Sequence, residues 1–229
     1  MKGSKKLLAY KVYFILGALF ISALVVSNLI FKKFFNWDFF GIHRFEISVG
    51  ILPYPITFLI TDLISEIYGK KKANQVVIAG IFASVFSLFI IYVAAQVPAT
   101  AWSPIDDNLF NTVFGSTAIA VMASMMAYLL AQLVDIQLYH FWKKLTQGKH
   151  LWLRNNFSTF LSQFVDTFVV LLLLCSFNEI EWDLFGVLLL SGFLFKVLIA
   201  LLDTPFLYLA VYIFRKKFNL KSTQELSIE

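Results

Sequence analysis

Four aspartates lie in stretches of this chain that are otherwise as apolar as lipid, and two of them end the same Gln-x-x-Asp pattern. A charged side chain at the centre of a bilayer costs about 3 kcal/mol or more unless it faces a protein interior or a wet cavity. Carboxylates can accept hydrogen bonds from a ligand or balance its positive charge. The chain is therefore expected to hold a polar site inside a helical bundle, with carboxylates at Asp62, Asp135, Asp166 and Asp203.

The composition of the 229-residue chain is that of a membrane protein. Hydrophobic residues make up 59% of it and charged residues 14%, whereas charged residues are about 25% of a soluble domain. The mean hydropathy is +0.78. Six stretches are long enough for a helix to cross roughly 30 Å of hydrocarbon. We predict an all-α integral membrane protein of one domain, residues 1–229, with spans at 11–31, 47–68, 74–97, 112–141, 157–178 and 184–214.

The basic residues are distributed unevenly between the predicted loops. All but four of the 19 Lys and Arg residues lie in the termini or in the loops after spans two and four. Because cytoplasmic loops of membrane proteins carry the excess of Lys and Arg, both termini are predicted to be cytoplasmic. The net charge of +5 then reflects orientation in the membrane, so no nucleic-acid partner is expected.

Polar side chains follow single faces of the predicted helices. Gln132 and Asp135 are three residues apart in span four, as are Gln163 and Asp166 in span five. Residues three or four apart share a helix face, so each of these helices presents a polar stripe in an apolar background. Lys196, the one basic residue within a predicted span, could neutralise an aspartate, extend to the interface or contact a substrate.

Two polar residues of span two have alternative roles. Asp62 could hold helices together without touching a ligand, which is a common use of polar groups in lipid. Glu66 is expected to form an interfacial ion pair with Lys70, four residues further along the chain.

Prolines predict irregular backbone in two spans. Gly50, Pro53 and Pro55 open span two, which is expected to be kinked or partly unwound in its outer half because proline lacks a backbone donor. Pro205 is expected to break span six shortly after Asp203. Broken helices at mid-membrane are typical of transporter sites, since unpaired backbone there must be buried in protein or line a cavity. A packing kink without a ligand is the alternative.

Other classes of function find little support in the residues. The three histidines fall in loops or at span ends, so no haem, metal or other cofactor is predicted. An intramembrane aspartyl protease would need a Gly-x-Gly-Asp run, and ATP hydrolysis would need a Gly-rich Walker loop; the sequence has neither. A purely structural protein would explain the spans but not the inward carboxylates and carboxamides. We therefore predict a transport protein and no enzyme.

Short runs along five spans resemble, in their order and spacing, the queuosine precursor transporter family, also called vitamin uptake transporters. The runs are Ser27-Asn28, Pro55 with Phe58, Thr61-Asp62, Glu66-Ile67-Tyr68-Gly69 with Ala73, Ala123-Ser124, Ala127-Tyr128, Gln132 with Asp135, Ser158-Thr159, Gln163 with Asp166-Thr167, Phe195-Lys196 and Pro205. The resemblance implies a six-helix inner-membrane protein that takes up 7-deazaguanines, namely preQ0, preQ1 or queuine, destined for transfer RNA.

The polar and aromatic residues suit such a substrate. One carboxylate can accept two adjacent N–H donors of a guanine-like base, and a carboxamide suits its acceptor edge. Phe58, Tyr128 or Phe195 could form a wall against the ring, and a second aspartate could neutralise the amine of preQ1 or queuine. The predicted substrate-binding residues are Asn28, Phe58, Asp62, Tyr128, Gln132, Asp135, Gln163, Asp166, Lys196 and Asp203.

The energy source for transport is left open by the residues. A buried aspartate could couple transport to protons, yet facilitated diffusion needs no coupling. The six-helix plan is also similar to the substrate-binding subunits of energy-coupling-factor vitamin transporters, which need a separate ATPase module. The small residues of span one would allow contact with such a partner or with a second copy in a homo-oligomer; they are Gly17, Ala18, Ser22 and Ala23.

Overall fold

The structure is a computed structural model that describes residues 3–30, 33–39, 43–115, 118–147, 149–178, 180–221 and 224–226. Within these ranges the helices are α1 (Gly3–Ile30), α2 (Tyr54–Ile67), α3 (Lys70–Ala95), α4 (Asp107–Phe110), α5 (Ala118–Leu145), α6 (Leu151–Ser176) and α7 (Phe185–Phe218). Between α1 and α2 the strands β1 (Phe34–Phe39) and β2 (His43–Ser48) form an antiparallel hairpin.

The chain is a multi-pass, predominantly α-helical membrane protein, as predicted. In the described ranges, five segments are long and apolar enough to cross a membrane, namely Lys5–Ile30, Val49–Ile67, Lys70–Ala95, Leu151–Ser176 and Trp182–Phe218. All five overlap predicted spans, and the remaining predicted span, at 112–141, corresponds to α5 (Ala118–Leu145). α5 has 28 residues and is therefore about 42 Å long at ~1.5 Å per residue.

The long helices pack as one bundle with chemically different ends. α5 packs on α6 and α6 on α7, while α1 contacts α2 and α3, and α2 contacts α7. α5 ends with Lys143 and Lys144, and α7 ends with Arg215, Lys216 and Lys217. We call this the basic end of the bundle, and the opposite end, where α1 stops and α2 begins, the hairpin end.

The hairpin was not predicted, because no element was expected between the first two spans of an otherwise α-helical chain. Phe45 and Ile47 of β2 are buried and alternate with residues of polar type. This two-residue period is that of a strand with one buried face. This alternation is visible in the sequence, but span two was predicted to begin at residue 47 because the apolar run continues into the helix.

Span two begins later than predicted, and its prolines start the helix rather than kink it. Residues Val49–Ile51 form a 3₁₀ turn, and the Gly50 N–H donates to the Ser48 side chain that caps it. α2 then starts at Tyr54 with Pro55 in its first turn, where a missing backbone donor costs little. The irregular backbone predicted for the outer half of span two is this turn.

The prediction of a broken helix at Pro205 is wrong, because α7 runs without interruption through that residue. The helix is braced beside the proline, since Asn156 Nδ2 of α6 donates to Thr204 Oγ1 at 3.0 Å. The Thr204 hydroxyl in turn lies 3.2 Å from the carbonyl of Ala200. Neighbouring helices and hydroxyl side chains are the usual means by which membrane helices tolerate proline.

Two glycines bring α1 and α3 together inside the chain. A Cβ at Gly80 would lie 2.7 Å from Cε1 of Phe20, and Gly17 faces Val76 at ordinary contact distance. Close approach of this kind is the common role of small residues between membrane helices. Gly17, which was predicted to allow contact with a partner, therefore serves packing within the chain.

Candidate functional site

A cavity of about 170 Å³ lies in the half of the bundle nearer the hairpin end. Four of the predicted binding residues, from α1, α5, α6 and α7 in turn, line it: Asn28, Tyr128, Asp166 and Lys196. The 3₁₀ turn contributes Gly50 and Ile51. The volume is below the roughly 300–1,000 Å³ of sites for drug-sized ligands, which suits a small heterocycle.

A smaller crevice of about 20 Å³ adjoins the cavity, since Ile51 and Lys196 line both spaces. Three more of the predicted binding residues line the crevice: Phe58, Gln163 and Asp203. Gln163 is buried, and its Oε1 atom has no hydrogen-bond partner. Leaving a buried acceptor unpaired costs about 1–3 kcal/mol, so the crevice is suited to a group that donates hydrogen bonds.

Asp166 and Lys196 form an ion pair at the wall of the cavity. Their side chains are only 7% and 13% exposed, so both charges are largely withdrawn from solvent. The pair agrees with the expectation that Lys196 neutralises an aspartate. Each carboxylate oxygen has two acceptor positions, so Asp166 can keep its lysine and still accept N–H groups from a ligand in the cavity.

Tyr128 forms an aromatic part of the cavity wall and is held from behind by Gln132. The Tyr128 ring lies against Phe58 and Phe20, with centroid separations of 5.9 and 6.2 Å. Gln132 is fully buried, and its Nε2 donates to the Tyr128 hydroxyl at 2.7 Å and lies 3.2 Å from Thr61 Oγ1. The structure thus places Gln132 where it orients Tyr128, outside the described lining of the cavity.

The hairpin and the 3₁₀ turn cover the cavity at the hairpin end. Trp37 and Phe45 contact the Phe195 ring of α7, with centroid separations of 5.3 and 5.7 Å. At the end of α1, the Ser27 hydroxyl donates to the carbonyl of Gly50. Both contacts attach the segment that contributes Ser48, Gly50 and Ile51 to the cavity to transmembrane helices.

Asp62 and Asp135 lie closer to the basic end than the cavity does. Both are buried, and their side chains are within hydrogen-bond reach of each other. The Ser162 hydroxyl donates to Asp135 Oδ1 at 2.9 Å. The described linings of the cavity and the crevice include neither aspartate, so both stand behind the site that they were predicted to form.

A separate group of buried charges closes the basic end. Glu66 of α2 is fully buried and pairs with Arg215 of α7 and, at 3.7 Å, with Lys143 of α5. We call these three residues the Glu66 cluster. Lys70, the predicted partner of Glu66, donates to Gln137. The described linings of the cavity and the crevice contain none of the three side chains of the cluster.

A short C-terminal stretch, residues 224–226, packs onto the Glu66 cluster. Glu225 pairs with Lys143 at 3.2 Å, and the N–H of Leu226 donates to the carbonyl of Ile67 at 2.7 Å. Gly69 has a φ of 86°, and a Cβ there would clash with the Glu225 carboxylate. Only glycine combines this backbone conformation with so close an approach, which explains the glycine between α2 and α3.

A larger groove of about 710 Å³ runs between α3 and α5, but its chemistry is different. Its described lining contains no acidic or basic side chain and includes the apolar residues Phe89, Met122 and Met126. None of the predicted binding residues lines it. A groove of this character suits lipid chains, so the candidate site is the cavity beside Asp166 and Lys196.

The match to a known family includes most of the elements that form this site. Residues 48–210 match the vitamin uptake transporter family, and this range contains the 3₁₀ turn, α5, α6 and most of α7. The chain belongs to the vitamin uptake transporter family. The resemblance found in the residues is thereby confirmed, as is the prediction of a transport protein rather than an enzyme.

Two bacterial proteins are similar to this transporter. One from Bacillus subtilis (strain 168), named "Probable queuosine precursor transporter", is 28% identical over 195 residues, which are 82% of this chain and 80% of the relative. One from Escherichia coli (strain K12), named "Queuosine precursor transporter", is 29% identical over 124 residues, which are 54% of this chain and 52% of the relative. No solved structure gives a significant match.

Some cavity residues of this transporter were not predicted from the sequence. Ser48, Gly50 and Ile51 come from the hairpin and the 3₁₀ turn, and the spans alone gave no reason to place them there. The polar Ser48 and the flexible Gly50 just before the proline-marked start of α2 were a signal for a turn. Ile51 carries no comparable signal, because an isoleucine is ordinary in any membrane segment.

Proposed function

We propose that this transporter carries queuosine precursors, the 7-deazaguanine bases preQ0, preQ1 or queuine, into the cell across the inner membrane. The names of its two relatives and the residue-level resemblance support this class of substrate. The observation that carries the proposal is a buried ion pair, Asp166 with Lys196, at the wall of a cavity of about 170 Å³. A cavity of this size, with a mainly apolar wall that includes a few polar side chains, fits a flat bicyclic base better than a long or branched molecule.

The cavity offers a partner for each edge of such a base. The Asp166 carboxylate accepts the adjacent N–H groups of the guanine-like edge. Asn28 Nδ2 is buried without a hydrogen-bond partner, so it gains a bond when it donates to the carbonyl oxygen of the base. Tyr128 lies against one part of the ring as an aromatic wall, with its hydroxyl held by Gln132.

We also propose six spans with both termini in the cytoplasm. α5 adds a sixth span to the five segments named above, because its 28 residues exceed the roughly 20 that a crossing needs. The basic end then faces the cytoplasm, and the cavity lies in the outer half of the membrane. The base enters past the hairpin end and leaves after the Glu66 cluster at the basic end opens.

Restoration of queuosine in transfer RNA tests the proposal. Cells that lack both precursor synthesis and uptake are expected to regain queuosine when they express this chain and receive preQ0, preQ1 or queuine, each tested separately. Asp166→Asn is expected to fail at equal abundance in the membrane. Asp183→Asn, at an exposed aspartate before α7, is the matched control and should behave as wild type. Failure of the wild-type chain with all three precursors would contradict the proposal.

A further inference from the structure

The cavity and the crevice together carry more carboxylates than cations. Among the described side chains that line the two spaces, the charged ones are Asp166, Asp203 and Lys196. With the carboxylates ionised and the lysine protonated, the empty site has one net negative charge. An occupant of matching positive charge neutralises it, whereas a neutral occupant leaves the partly buried carboxylate of Asp203 without a cation, which is unfavourable.

Among the side chains that the structure describes around the site, none supplies the missing positive charge. At the basic end, the partly buried cations Lys143 and Arg215 both pair with Glu66. The neighbours of Asp203 toward that end are further carboxyl groups, since Asp62 lies near it and Asp135 adjoins Asp62. These neighbours are carboxyl groups and not cations, so they do not neutralise Asp203.

The crevice has the size and the acceptors for a small cationic group. Its volume of about 20 Å³ admits a group about the size of one water molecule, such as an ammonium. The unpartnered Oε1 of Gln163 and the carboxylate of Asp203 face this space, and an ammonium has three donors to offer. Because the crevice and the cavity meet at Ile51 and Lys196, a short arm on a ring in the cavity reaches it.

We infer that the site prefers 7-deazaguanines that carry a protonated amine on a short arm to those that carry a neutral group there, and that Asp203 sets this preference. The inference rests on the proposed function and names the substrate class within it. The ring occupies the cavity beside Asp166, which keeps Lys196 as its partner. The ammonium occupies the crevice between Gln163 and Asp203.

Two ligands that differ only in the group at position 7 test this inference. The purified protein in detergent, at neutral pH, is titrated with 7-aminomethyl-7-deazaguanine, which is cationic, and with 7-cyano-7-deazaguanine, which is neutral. Wild type is expected to bind the cationic ligand at least about tenfold more tightly, as buried charge pairs at interfaces do. Asp203→Asn is expected to bring the two affinities within about threefold, mainly by weakening the cationic ligand. Asp183→Asn should leave the ratio unchanged.

The outcomes separate the inference from the proposed function. Retained binding of the cyano ligand by Asp203→Asn shows that the variant is folded. Equal binding of both ligands by wild type, or tighter binding of the cyano ligand, overturns the inference and leaves the proposed function standing. An equal loss of both ligands in Asp203→Asn overturns the role of Asp203. Binding of neither ligand by wild type overturns the inference and the proposed function together.

Discussion

The protein buries two groups of charges that differ in what lies beside them. At the cavity, Asp166 has one cation as its partner and open space next to it. At the basic end, Glu66 has two cations, and Tyr139 donates a further hydrogen bond at 3.2 Å. A buried charge is therefore not by itself the mark of a binding site in this bundle. A binding site is indicated instead by a carboxylate that still has free acceptor positions beside an open space.

The same difference separates two roles in transport. The Asp166–Lys196 pair joins α6 to α7, and it can form hydrogen bonds with a ligand without any change in the packing of the helices. The Glu66 cluster joins α2, α5 and α7, and the C-terminal stretch packs onto it. Opening the basic end would expose these charges to water, which solvates them well. Variants of the cavity pair should therefore mainly weaken binding, and variants of the Glu66 cluster should mainly lower stability.

The largest effect is expected at the cavity pair. Asp166→Asn leaves Lys196 without its carboxylate and removes the acceptor for the base. Losing a buried hydrogen-bonded charge contact costs about 2–5 kcal/mol, so affinity for a 7-deazaguanine should fall on the order of a hundredfold or more, measured by titration of purified protein. The double variant Asp166→Asn with Lys196→Met should regain thermal stability but not affinity. Affinity of the single variant within about threefold of wild type would rule out contact between Asp166 and the base.

The next largest effect is expected at the basic end, where a variant should lower stability and leave affinity for the base nearly unchanged. Glu66→Gln removes the carboxylate shared by Arg215 and Lys143, which are partly buried, while Lys143 keeps Glu225; the cost should be at most the roughly 3–5 kcal/mol of a fully buried pair. The melting temperature of the purified protein should fall clearly, while affinity for the base changes by less than about threefold. If Glu66→Gln instead weakened binding as much as Asp166→Asn, the two charge groups would not be distinct in function.

A smaller effect on affinity is expected from Gln132, which holds the hydroxyl of Tyr128 in the cavity wall. Gln132→Met keeps the side-chain volume and removes the hydrogen bond to the Tyr128 hydroxyl. A buried hydrogen bond contributes about 0.5–1.5 kcal/mol, so affinity should fall by up to about tenfold. The matched control is Gln137→Met, at the partner of Lys70 near the basic end, which should leave affinity unchanged. Equal effects of the two variants would show that Gln132 does not orient the ring.

The smallest effect is expected at the contacts that attach the hairpin and the 3₁₀ turn to the helices. Ser27→Ala removes the bond from the end of α1 to the carbonyl of Gly50, while the aromatic contacts of Trp37 and Phe45 with Phe195 remain. Affinity should fall by about threefold or less. Trp37→Ala is the companion variant and should raise the dissociation rate more than Ser27→Ala does. A slower dissociation in either variant would contradict a covering role for the hairpin.

The two Gln-x-x-Asp patterns show what the sequence could and could not predict. Both stripes were predicted to face inward, and all four side chains are buried, because the burial of polar groups in a membrane helix follows from its own residues. The roles within each stripe differ, however. Asp166 lines the cavity, whereas Asp135 and Gln132 lie behind it. That distinction depends on how each helix is rotated against its neighbours, which spacing along one helix does not encode.

Elements between the helices were predicted less well for a related reason. The hairpin and the 3₁₀ turn depend on contacts with Phe195 and Ser27, far away in sequence. Pro205 likewise lies in a continuous α7 because Asn156 and Thr204 brace the helix there. Local rules for strands, turns and prolines give the tendency of a segment, and tertiary contacts decide the outcome.

An experimental structure with a bound 7-deazaguanine tests the central claim most directly, namely that the cavity beside Asp166 and Lys196 is the binding site. The base is expected in that cavity, with its N–H edge within hydrogen-bond distance, about 3 Å, of the Asp166 carboxylate and with Tyr128 against its ring. A base bound instead in the groove between α3 and α5, or at the Glu66 cluster with the cavity empty, would contradict the claim.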